Sequence, residues 1–578
     1  MKVLLAKHAG FCMGVRRAVE TTIETIRKED EGIATFGPLI HNPQVIELLK
    51  DQGVEILQEI PQKQSGTVII RAHGVPPEKK EQLAASGAHV QDATCPRVVK
   101  VQVIINKYRK QGYRVVIIGD RNHAEVEGLM GYAGKDCLVV SAESDIDQLR
   151  ISGPYIIVCQ TTQDELAFEE LSQEIVHRFP EGKIFNTICD STHKRQEEVR
   201  ELSKKVQAMV VVGGRTSANT KRLGEIAAGM GCPVFMVETE NDLDLKALAD
   251  FDCVGVTAGA STPSWMINWV VRALESVPGK SEGSVLPYVK KVFWFLLATN
   301  TYVSIGGGML SYAFVNLLTG MRSFDGFWIS FGYLFAMHNL NRFTDQKSRK
   351  INDPLRVQFY RRFRWPFLVC SAVILAGSLT IAYKVEWLSF LLLAGMSILG
   401  VLYSVRFIPK PFTGFTRVRG LKEIPGSKTV FVSLAWAFVV VLVPILGVLP
   451  VIGIAVACSF FIVLLLAYIR CALFDVLDIQ GDRIVGKETL PVIIGEKKSL
   501  VLLQVMSVLL IVFISVVSLI GWLPMTALWL IPGGGYLALL VYFSDRKFFS
   551  ARTRLEFGME SGFIMMGIIL SLGILLQA

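Results

Sequence analysis

The sequence predicts two fold classes in one chain of 578 residues, an α/β domain of three units followed by an all-α membrane domain. In the first half, short runs of β-branched and leucine residues alternate with charged, helix-like stretches, a pattern typical of α/β proteins. In the second half, long apolar runs separated by short polar joints continue to Ala578. We therefore predict domains at residues 1–275 and 291–578, with a linker at residues 276–290.

Three cysteines of the first half share one local pattern. Cys12, Cys95 and Cys189 each follow an apolar run and precede a helix-like stretch. Pro96 suits a first helical position, and the Asp-Ser-Thr run at 190–192 contains good N-cap residue types. The positive end of a helix dipole favours the thiolate, which soft metals and iron–sulfur clusters need as a ligand. Because the cysteines are 83 and 94 residues apart, we predict one thiolate from each of three converging structural units.

The alternative for any cysteine is that it acts as a small buried hydrophobic residue. We expect this for the seven others, which lie within apolar runs: Cys137, Cys159, Cys232, Cys253, Cys370, Cys458 and Cys471. We expect no secretory signal at residues 1–7 and a cytoplasmic first half, and therefore no disulfides.

Three histidines, His41, His73 and His123, lie in turn-like settings that each follow an apolar run. A single histidine is more often structural than a ligand, but three in equivalent positions favour an anionic substrate. Small polar donors near helix starts suit the same anion, and these are Ser217, Asn219 and Ser261. Glu125, two residues after His123, is a carboxylate suited to proton transfer.

The first half closely resembles the LytB family of 4-hydroxy-3-methylbut-2-enyl diphosphate reductases. The resemblance covers residues 1–275 through the motifs GFCMGVRRA, GPLIHNPQV, RAHGVP, DATCP, QTT, CDST and VTAGAS. It implies three α/β units around a pseudo-threefold axis and a four-iron, four-sulfur cluster held by Cys12, Cys95 and Cys189. The fourth iron of such a cluster has no protein ligand and binds the substrate hydroxyl. The implied reaction removes that allylic hydroxyl and yields isopentenyl and dimethylallyl diphosphates.

The resemblance also implies a role for each candidate side chain. The residues that bind the diphosphate would be His41, His73, His123, Ser217, Asn219 and Ser261. Glu125 would be the proton source, with the hydroxyl of Thr161 as its partner and a contact to the substrate. Two electrons would come from an external carrier such as ferredoxin or flavodoxin, since no flavin or nicotinamide fingerprint is visible.

The first half departs from the family pattern at one position. Where the family usually has a second serine before the asparagine, this chain has Ala218. A hydrogen bond to a charged group is worth about 1.5 to 3 kcal/mol, so we expect weaker substrate binding rather than loss of activity. A redox sensor is an alternative to an enzyme, but the retained diphosphate-binding set and Glu125 argue against it.

Nine apolar runs in the second half are candidate membrane spans, because crossing a bilayer takes about 20 apolar residues. They lie near Val292–Leu318, Phe324–Leu340, Trp365–Tyr383, Trp387–Val405, Val430–Leu446, Val451–Phe474, Leu500–Leu519, Pro524–Phe543 and Ser561–Leu576. Buried helices of a large soluble domain are the alternative, but so many long uncharged runs with short joints favour a membrane domain.

Charge predicts the orientation of these spans. Cations concentrate in the joints after spans two, four, six and eight, while the opposite joints carry little beyond Arg322 and Lys384. The positive-inside rule then places the cation-rich joints and the first domain in the cytoplasm, with the spans in a bacterial-type inner membrane. Much of the net charge of +9 therefore comes from the joints that set the orientation of the spans, and no motif supports nucleic-acid binding.

Two polar clusters lie at the cytoplasmic ends of spans two and six. Asn341 and Asp345 are four residues apart, and Asp475, Asp478 and Asp482 follow at spacings of three and four. Clustered carboxylates repel one another unless cations neutralise them, and Mg²⁺ typically bridges carboxylates to substrate phosphates. A solvated helix end is a credible alternative for the first cluster but a weaker one for the second.

The second half, over residues 290–578, resembles the UbiA family of intramembrane prenyltransferases, most clearly in DVLDIQGDRIVGKETLPV. The resemblance implies a lipid-embedded helical bundle in which Mg²⁺ joins Asp345, Asp475, Asp478 and Asp482 to a prenyl diphosphate. Asn341 and Arg349 would contact that diphosphate, although Arg349 stands where the family has another aspartate. Tyr403 and Lys422 are pocket candidates by position.

The alternative reading of the second half is a non-catalytic anchor or binding module, which the intact second motif disfavours. The fusion itself suggests co-localisation of two pathway steps at the membrane, with channelling as a lesser hypothesis.

Overall fold

The computed structural model describes residues 1–29, 32–277, 285–344, 352–404, 426–446, 448, 453–485, 487, 489–545 and 552–577. The chain forms two compact units, Met1–Glu282 and Gly283–Ala578. Each unit is a separate fold with its own core.

The described part of the first unit alternates strands with helices. The strands are β1 Lys2–Leu5, β2 Ile33–Phe36, β3 Val54–Leu57, β4 Thr67–Ile70, β5 His89–Asp92, β6 Arg114–Ile118, β7 Leu138–Val140, β8 Tyr155–Cys159, β9 Gly182–Ile184, β10 Ala208–Val212, β11 Val234–Val237 and β12 Cys253–Ala258. The helices are α1 Met13–Lys28, α2 Pro43–Lys50, α3 Pro77–Ala85, α4 Pro96–Arg109, α5 Ala124–Ala133, α6 Glu165–Arg178, α7 Asp190–Ser203, α8 Ala218–Gly229, α9 Leu245–Leu248 and α10 Ser264–Ser276.

These strands form three parallel sheets of four strands, in the orders β3-β2-β4-β5, β7-β6-β8-β9 and β11-β10-β12-β1. The three orders are equivalent if β1 is counted as the fourth strand of the last unit. The opening strand therefore completes the sheet made by the last strands, with Lys2 opposite Cys253 and Leu5 opposite Val256. Three α/β units, as predicted, are confirmed.

Alternating side chains of each strand face opposite layers of helices. In the middle sheet, Val115 and Ile117 pack with residues of α4 and α5, whereas Val116 and Ile118 pack with residues of α6. All four are fully buried, which explains the unbroken β-branched run in this strand. Burying one such side chain contributes about 1.5 to 3 kcal/mol relative to exposure.

The described part of the second unit is helical. Its helices are α11 Val285–Ala298, α12 Thr301–Thr319, α13 Asp325–Thr344, α14 Pro354–Arg362, α15 Arg364–Val385, α16 Trp387–Ser404, α17 Ser427–Ala437, α18 Val443–Ile445, α19 Ile454–Leu477, α20 Ile479–Val485, α21 Leu490–Ile494, α22 Glu496–Leu519, α23 Ile531–Asp545 and α24 Arg552–Gln577. A π-helical segment, Phe438–Leu442, joins α17 to α18.

The bundle core contains Phe314 on α12, Trp436 on α17 and Phe563 on α24. Close packing of α12 on α24 depends on Gly567, where an added Cβ would lie 2.7 Å from the carbonyl carbon of Met309. Small residues commonly permit such contacts between membrane helices.

Among the described residues, six helices rather than nine are long and apolar enough to cross a membrane. They span Arg364–Val385, Ser427–Ile445, Ile454–Leu477, Glu496–Leu519, Met525–Ser544 and Thr553–Gln577. The prediction of nine was wrong because of three segments. The first predicted span is broken at Asn300, which has a φ of 58° and separates α11 from α12. α12 and α13 contain glycines and buried polar residues, and within the described residues α16 provides the shorter apolar run Trp387–Tyr403.

The seven other cysteines differ in burial. Cys159, Cys232 and Cys458 are buried as expected, Cys137, Cys253 and Cys471 are partly buried, and Cys370 is exposed on α15. The apolar run around it faces outward, as suits a lipid-facing helix.

Candidate functional site

The three predicted cysteines occupy equivalent positions at the carboxyl edges of the three sheets. Cys12 follows β1, Cys95 follows β5 and Cys189 follows β9, and each is the N-cap residue of the next helix. The strand-to-helix placement is confirmed, including Pro96 as the first residue of α4. The capping role expected within residues 190–192 was wrong, because α7 already begins at Asp190.

Backbone hydrogen bonds hold the cysteines in matching settings. Their N–H groups donate to carbonyl oxygens that follow the neighbouring strand in each sheet, with N–O distances of 3.0, 2.9 and 3.0 Å. The acceptors are Ala260 for Cys12, Ala72 for Cys95 and Thr161 for Cys189. The same local geometry therefore recurs three times.

All three side chains line one cavity of about 90 Å³. Gly14 permits the approach of two units, because an added Cβ there would clash with the Sγ of Cys95. Burial raises the pKa of the Cys95 thiol, and the neighbouring Cys12 and Cys189 raise it further. Three cysteine thiols that line one cavity fit the donor set of an iron–sulfur cluster.

Arg195 is a residue of this cavity that sequence reasoning missed. Its side chain is only 4% exposed, it lines the cavity, and its Nη2 donates to the carbonyl of Gly10 at 2.5 Å. Its guanidinium interacts electrostatically with Cys12 and Cys189. A buried guanidinium at this position supplies positive charge to the cavity. Its position on a highly charged helix concealed it, since such residues are usually solvated.

The three histidines come together on the same cavity. His41, His73 and His123 follow β2, β4 and β6, and their ring centroids are 4.5 to 5.5 Å apart. Burial lowers the pKa of all three imidazoles, that of His73 well below its usual range and that of His123 to about 4. The nearby guanidinium of Arg71 also lowers each pKa. The rings are therefore neutral at pH 7.

Two ring nitrogens are left without a hydrogen-bond partner in the described part of the protein. These are Nε2 of His41 and Nδ1 of His73. Within the same described residues, Nδ2 of Asn219 also has no hydrogen-bond partner. Buried polar atoms of this kind normally bind something, so they indicate a polar ligand in the cavity. Potential ligand atoms of the three histidines lie within 4.8 Å of one another, which would also permit a metal ion.

Glu125 and Thr161 form the polar pair of this cavity. The carboxylate of Glu125 is 2% exposed and accepts hydrogen bonds from the N–H of Thr161 at 2.6 Å and from its Oγ1 at 2.8 Å. Burial raises the pKa of Glu125 to about 7, although both hydrogen bonds act in the opposite direction. A carboxyl group with this pKa can donate a proton at neutral pH.

The remaining predicted residues complete the lining. Ser217 is the N-cap of α8 and its Oγ accepts from the N–H of Thr220 at 3.4 Å. Ser261 follows β12 and donates to the carbonyl of His41 at 2.9 Å. Asn219 and Ala218 also line the cavity, so the missing serine hydroxyl belongs to this site.

A second cavity, of about 120 Å³, lies within the membrane unit. Its lining includes four of the predicted residues: Asn341, Asp475, Asp478 and Asp482. Oδ2 of Asp475 accepts from Oγ1 of Thr429 at 2.6 Å, and its Oδ1 lies 3.7 Å from Nζ of Lys428. Tyr403 lines the same cavity. Asp345, Arg349 and Lys422 lie outside the described residues.

Sequence reasoning missed the buried charges of this second cavity. Arg470 and Glu560 are 8% and 3% exposed, and Nε of the arginine donates to both carboxylate oxygens at 3.0 and 3.1 Å. Glu556, one helical turn from Glu560, also lines the cavity and binds Arg356. The sequence signal that could have indicated these charges is the pair of glutamates, four residues apart, in the last apolar run.

Together these features define a protein of two classes: a three-sheet α/β protein with a thiol-lined centre, and a helical membrane protein with a carboxylate-lined cavity. Residues 3–275 match the LytB protein family and residues 302–559 match the UbiA prenyltransferase family. The chain belongs to the LytB family through its first unit and carries a UbiA-type domain in its second.

Curated relatives match the first unit over all or nearly all of their own length. The 4-hydroxy-3-methylbut-2-enyl diphosphate reductase of Geobacter sulfurreducens is 40% identical over 283 residues, which is 49% of this chain and 100% of that protein. The protein of the same name from Aquifex aeolicus is 40% identical over 279 residues, which is 48% of this chain and 96% of that protein.

Solved structures match each unit separately. The reductase structure from Plasmodium falciparum is 29% identical with a TM-score of 0.45, covering 46% of this chain and 85% of that one. A UbiA homologue from Archaeoglobus fulgidus, solved with GPP and Mg²⁺, is 16% identical with a TM-score of 0.36, covering 49% of this chain and 97% of that one.

Proposed function

We propose that the first unit reduces 4-hydroxy-3-methylbut-2-enyl diphosphate to isopentenyl and dimethylallyl diphosphates. The observation that carries this proposal is the meeting of three thiols, three neutral imidazoles and a carboxyl group of raised pKa in one cavity. The overall step consumes two electrons and two protons, breaks the allylic C–O bond and releases water. The relatives named for this reaction support it.

Cys12, Cys95 and Cys189 would hold a four-iron, four-sulfur cluster. When bound, that cluster would supply the electrons, received from an external carrier such as ferredoxin or flavodoxin. Arg195 would offset the negative charge of the thiolates from its buried position in the cavity lining.

The side chains of the protein would bind the diphosphate and move a proton. His41, His73 and His123 would donate hydrogen bonds to the diphosphate, and its negative charge would favour their protonation. Ser217, Asn219 and Ser261 would add donors to the same group. With a pKa raised to about 7, Glu125 can hold a proton near neutral pH and would deliver it to the leaving hydroxyl, with Thr161 orienting the carboxyl group.

The first test is iron and labile sulfide analysis with EPR of the dithionite-reduced protein, purified without oxygen. The control is the triple variant Cys12→Ser/Cys95→Ser/Cys189→Ser. A cluster in the wild type that is absent from the triple variant is the expected result. A wild-type protein that stays iron-free after anaerobic reconstitution would refute the reductase proposal.

For the second unit, we propose Mg²⁺-dependent transfer of a prenyl group from its diphosphate. Asp475, Asp478 and Asp482, with Asp345, would hold Mg²⁺ against the diphosphate, and Asn341 and Arg349 would contact it. The metal would draw charge from the leaving diphosphate and so favour ionisation of the allylic carbon. The clustering of three aspartates and Lys428 in one cavity supports this proposal.

A prenyl-transfer assay with Mg²⁺ tests the second activity. Asp478→Ala should abolish transfer and leave cluster content and reductase activity unchanged. Exposed Asp325, at the start of α13, provides the matched control Asp325→Ala. Equal transfer by wild type and Asp478→Ala would favour the alternative of a non-catalytic anchor.

We further propose that the protein lies in a bacterial-type inner membrane with its first unit in the cytoplasm. The bias of Lys and Arg between opposite joints supports this orientation. The fusion would keep a supplier of diphosphates close to a consumer. If mixed separate halves sustained the same flux as the intact chain, co-localisation would have no kinetic role.

A further inference from the structure

A third cavity, of about 260 Å³, lies where α14 meets α15 in the membrane unit. Its charged lining residues are four arginines and one aspartate: Arg342, Arg356, Arg361, Arg364 and Asp353. The described aspartates proposed to hold Mg²⁺ line the neighbouring second cavity, which shares only Arg342 and Asp353 with this one among the described lining residues. The walls of the third cavity contain guanidinium groups, which bind phosphate oxygens through paired N–H donors.

The charges of this cavity do not cancel. Arg356 is only 5% exposed, and its Nη1 and Nη2 donate to the two oxygens of Glu556 at 2.9 and 3.0 Å. Its Nε lies 3.2 Å from Oδ2 of Asp353. These two carboxylates are therefore already engaged by one arginine. Among the described residues that line the cavity, four guanidinium groups face one carboxylate, so the lining carries an excess of positive charge, although Arg342 also interacts with Glu560 of the neighbouring cavity.

Arg361 and Arg364 lie at the rim of this cavity, near the start of α15, which is the least buried of the candidate spans. Only 17% of the apolar window of α15 is buried, against 33–56% for the other five. Next to Arg361 and Arg364, the side chains of Phe363 and Trp365 are 40% and 70% exposed. Exposed aromatic residues and arginines at the end of a span are typical of the interface between bilayer and water. The phosphate groups that are concentrated at this depth are those of lipids.

We propose that this cavity binds the phosphate group of an anionic ligand, and that the ligand is the headgroup of an anionic phospholipid. Arg361 and Arg364 at the rim contact the phosphate, while the buried Arg356 supports the inner wall. The acyl chains then lie along the exposed face of α15. This site does not depend on catalysis by either unit.

Native mass spectrometry of the purified full chain in detergent tests the proposal. The protein is titrated in separate arms with phosphatidylglycerol, phosphatidylcholine and inorganic pyrophosphate. Phosphatidylglycerol should bind in preference to phosphatidylcholine. Each basic residue near an anionic lipid surface is worth about 1 kcal/mol, so Arg361→Gln and Arg364→Gln should each weaken phosphatidylglycerol binding about five-fold. The matched control is Arg362→Gln, which removes the same charge from an exposed neighbour that does not line the cavity.

Three results would overturn the proposal. The first is equal binding of phosphatidylglycerol and phosphatidylcholine. The second is an equal loss of binding in Arg362→Gln, which would reveal a general charge effect. The third is binding of pyrophosphate with the same dependence on Arg361 and Arg364 but no preference for the anionic lipid, which would assign the cavity to a soluble phosphate. Because these arginines are exposed, the variants should keep the melting temperature of the wild type.

Discussion

The pair formed by Glu125 and Thr161 gives the sharpest test of the proposed proton donor. Thr161→Val keeps the shape of the side chain but removes the Oγ1 donor that lies 2.8 Å from Oε2 of Glu125. The backbone N–H bond to the other oxygen, at 2.6 Å, remains. Because the lost bond favours the ionised carboxylate, its removal should raise the pKa of Glu125 above its present value of about 7.

The magnitude follows from the energy of such a bond. A hydrogen bond to a charged group contributes about 1.5 to 3 kcal/mol, and one pKa unit corresponds to about 1.36 kcal/mol, so the pKa should rise by about 1 to 2. An acid must be protonated to donate, so activity falls as pH rises through this pKa. The falling limb of kcat/KM against pH, which reports the free enzyme, should therefore move to higher pH in Thr161→Val.

The assay measures reductase kcat/KM for wild type, Thr161→Val and Thr161→Ser. A range of about pH 6 to about pH 10 covers the falling limb of each protein. Thr161→Ser keeps the hydroxyl and should retain the midpoint of the wild type, even if its rate is lower. An unchanged or lowered midpoint in Thr161→Val would refute the assignment, because Glu125 would then not be the group whose titration limits the reaction.

Three further predictions concern other side chains of the first two cavities. Cys95→Ser should lose most of its iron, whereas Cys137→Ser, whose thiol does not line the cavity, should keep it; iron and sulfide analysis decides. A bound diphosphate should raise the lowered pKa of His123, so binding should take up protons and strengthen as pH falls from about 7 to 6. Calorimetry in two buffers measures this proton uptake, which should be smaller in His123→Gln. Arg470→Met should destabilise the membrane unit by about 3 to 5 kcal/mol by leaving Glu560 buried and unpaired, and Arg470→Met/Glu560→Met should recover most of the loss in thermal melting. If the single variant melts like the wild type, the pair has no structural role.

The catalytic candidates of the first unit could be predicted because their signals are local. When a cysteine or histidine follows a β-branched run and precedes a helix start, its side chain lies at the carboxyl end of a strand, whatever the rest of the chain does. Parallel sheets expose these ends at one edge. Cys12, Cys95 and Cys189 follow this rule, and the structure agrees on their strand-to-helix setting.

Arg195 and Arg356 could not be predicted in this way. In sequence, both belong to charged stretches that usually face solvent, and their burial depends on segments far away in the chain. Arg195 is covered by the loop at Gly10, and Arg356 by Glu556, 200 residues further on. The number of spans was overestimated for a related reason: apolar runs predict helices, but glycines and buried polar residues inside α12 and α13 suit packing in a bundle better than contact with lipid.

The sequence by itself determined the two fold classes, the three strand-to-helix cysteines and the aspartate clusters, because each depends on neighbouring residues and their periodicity. Only the tertiary structure decided that β1 completes the sheet of β10–β12 and that eleven predicted side chains of three units line one cavity. It also decided which charges are buried in pairs. The physical reason is that strand pairing, desolvation and pKa depend on which distant groups meet, and local patterns do not contain that information.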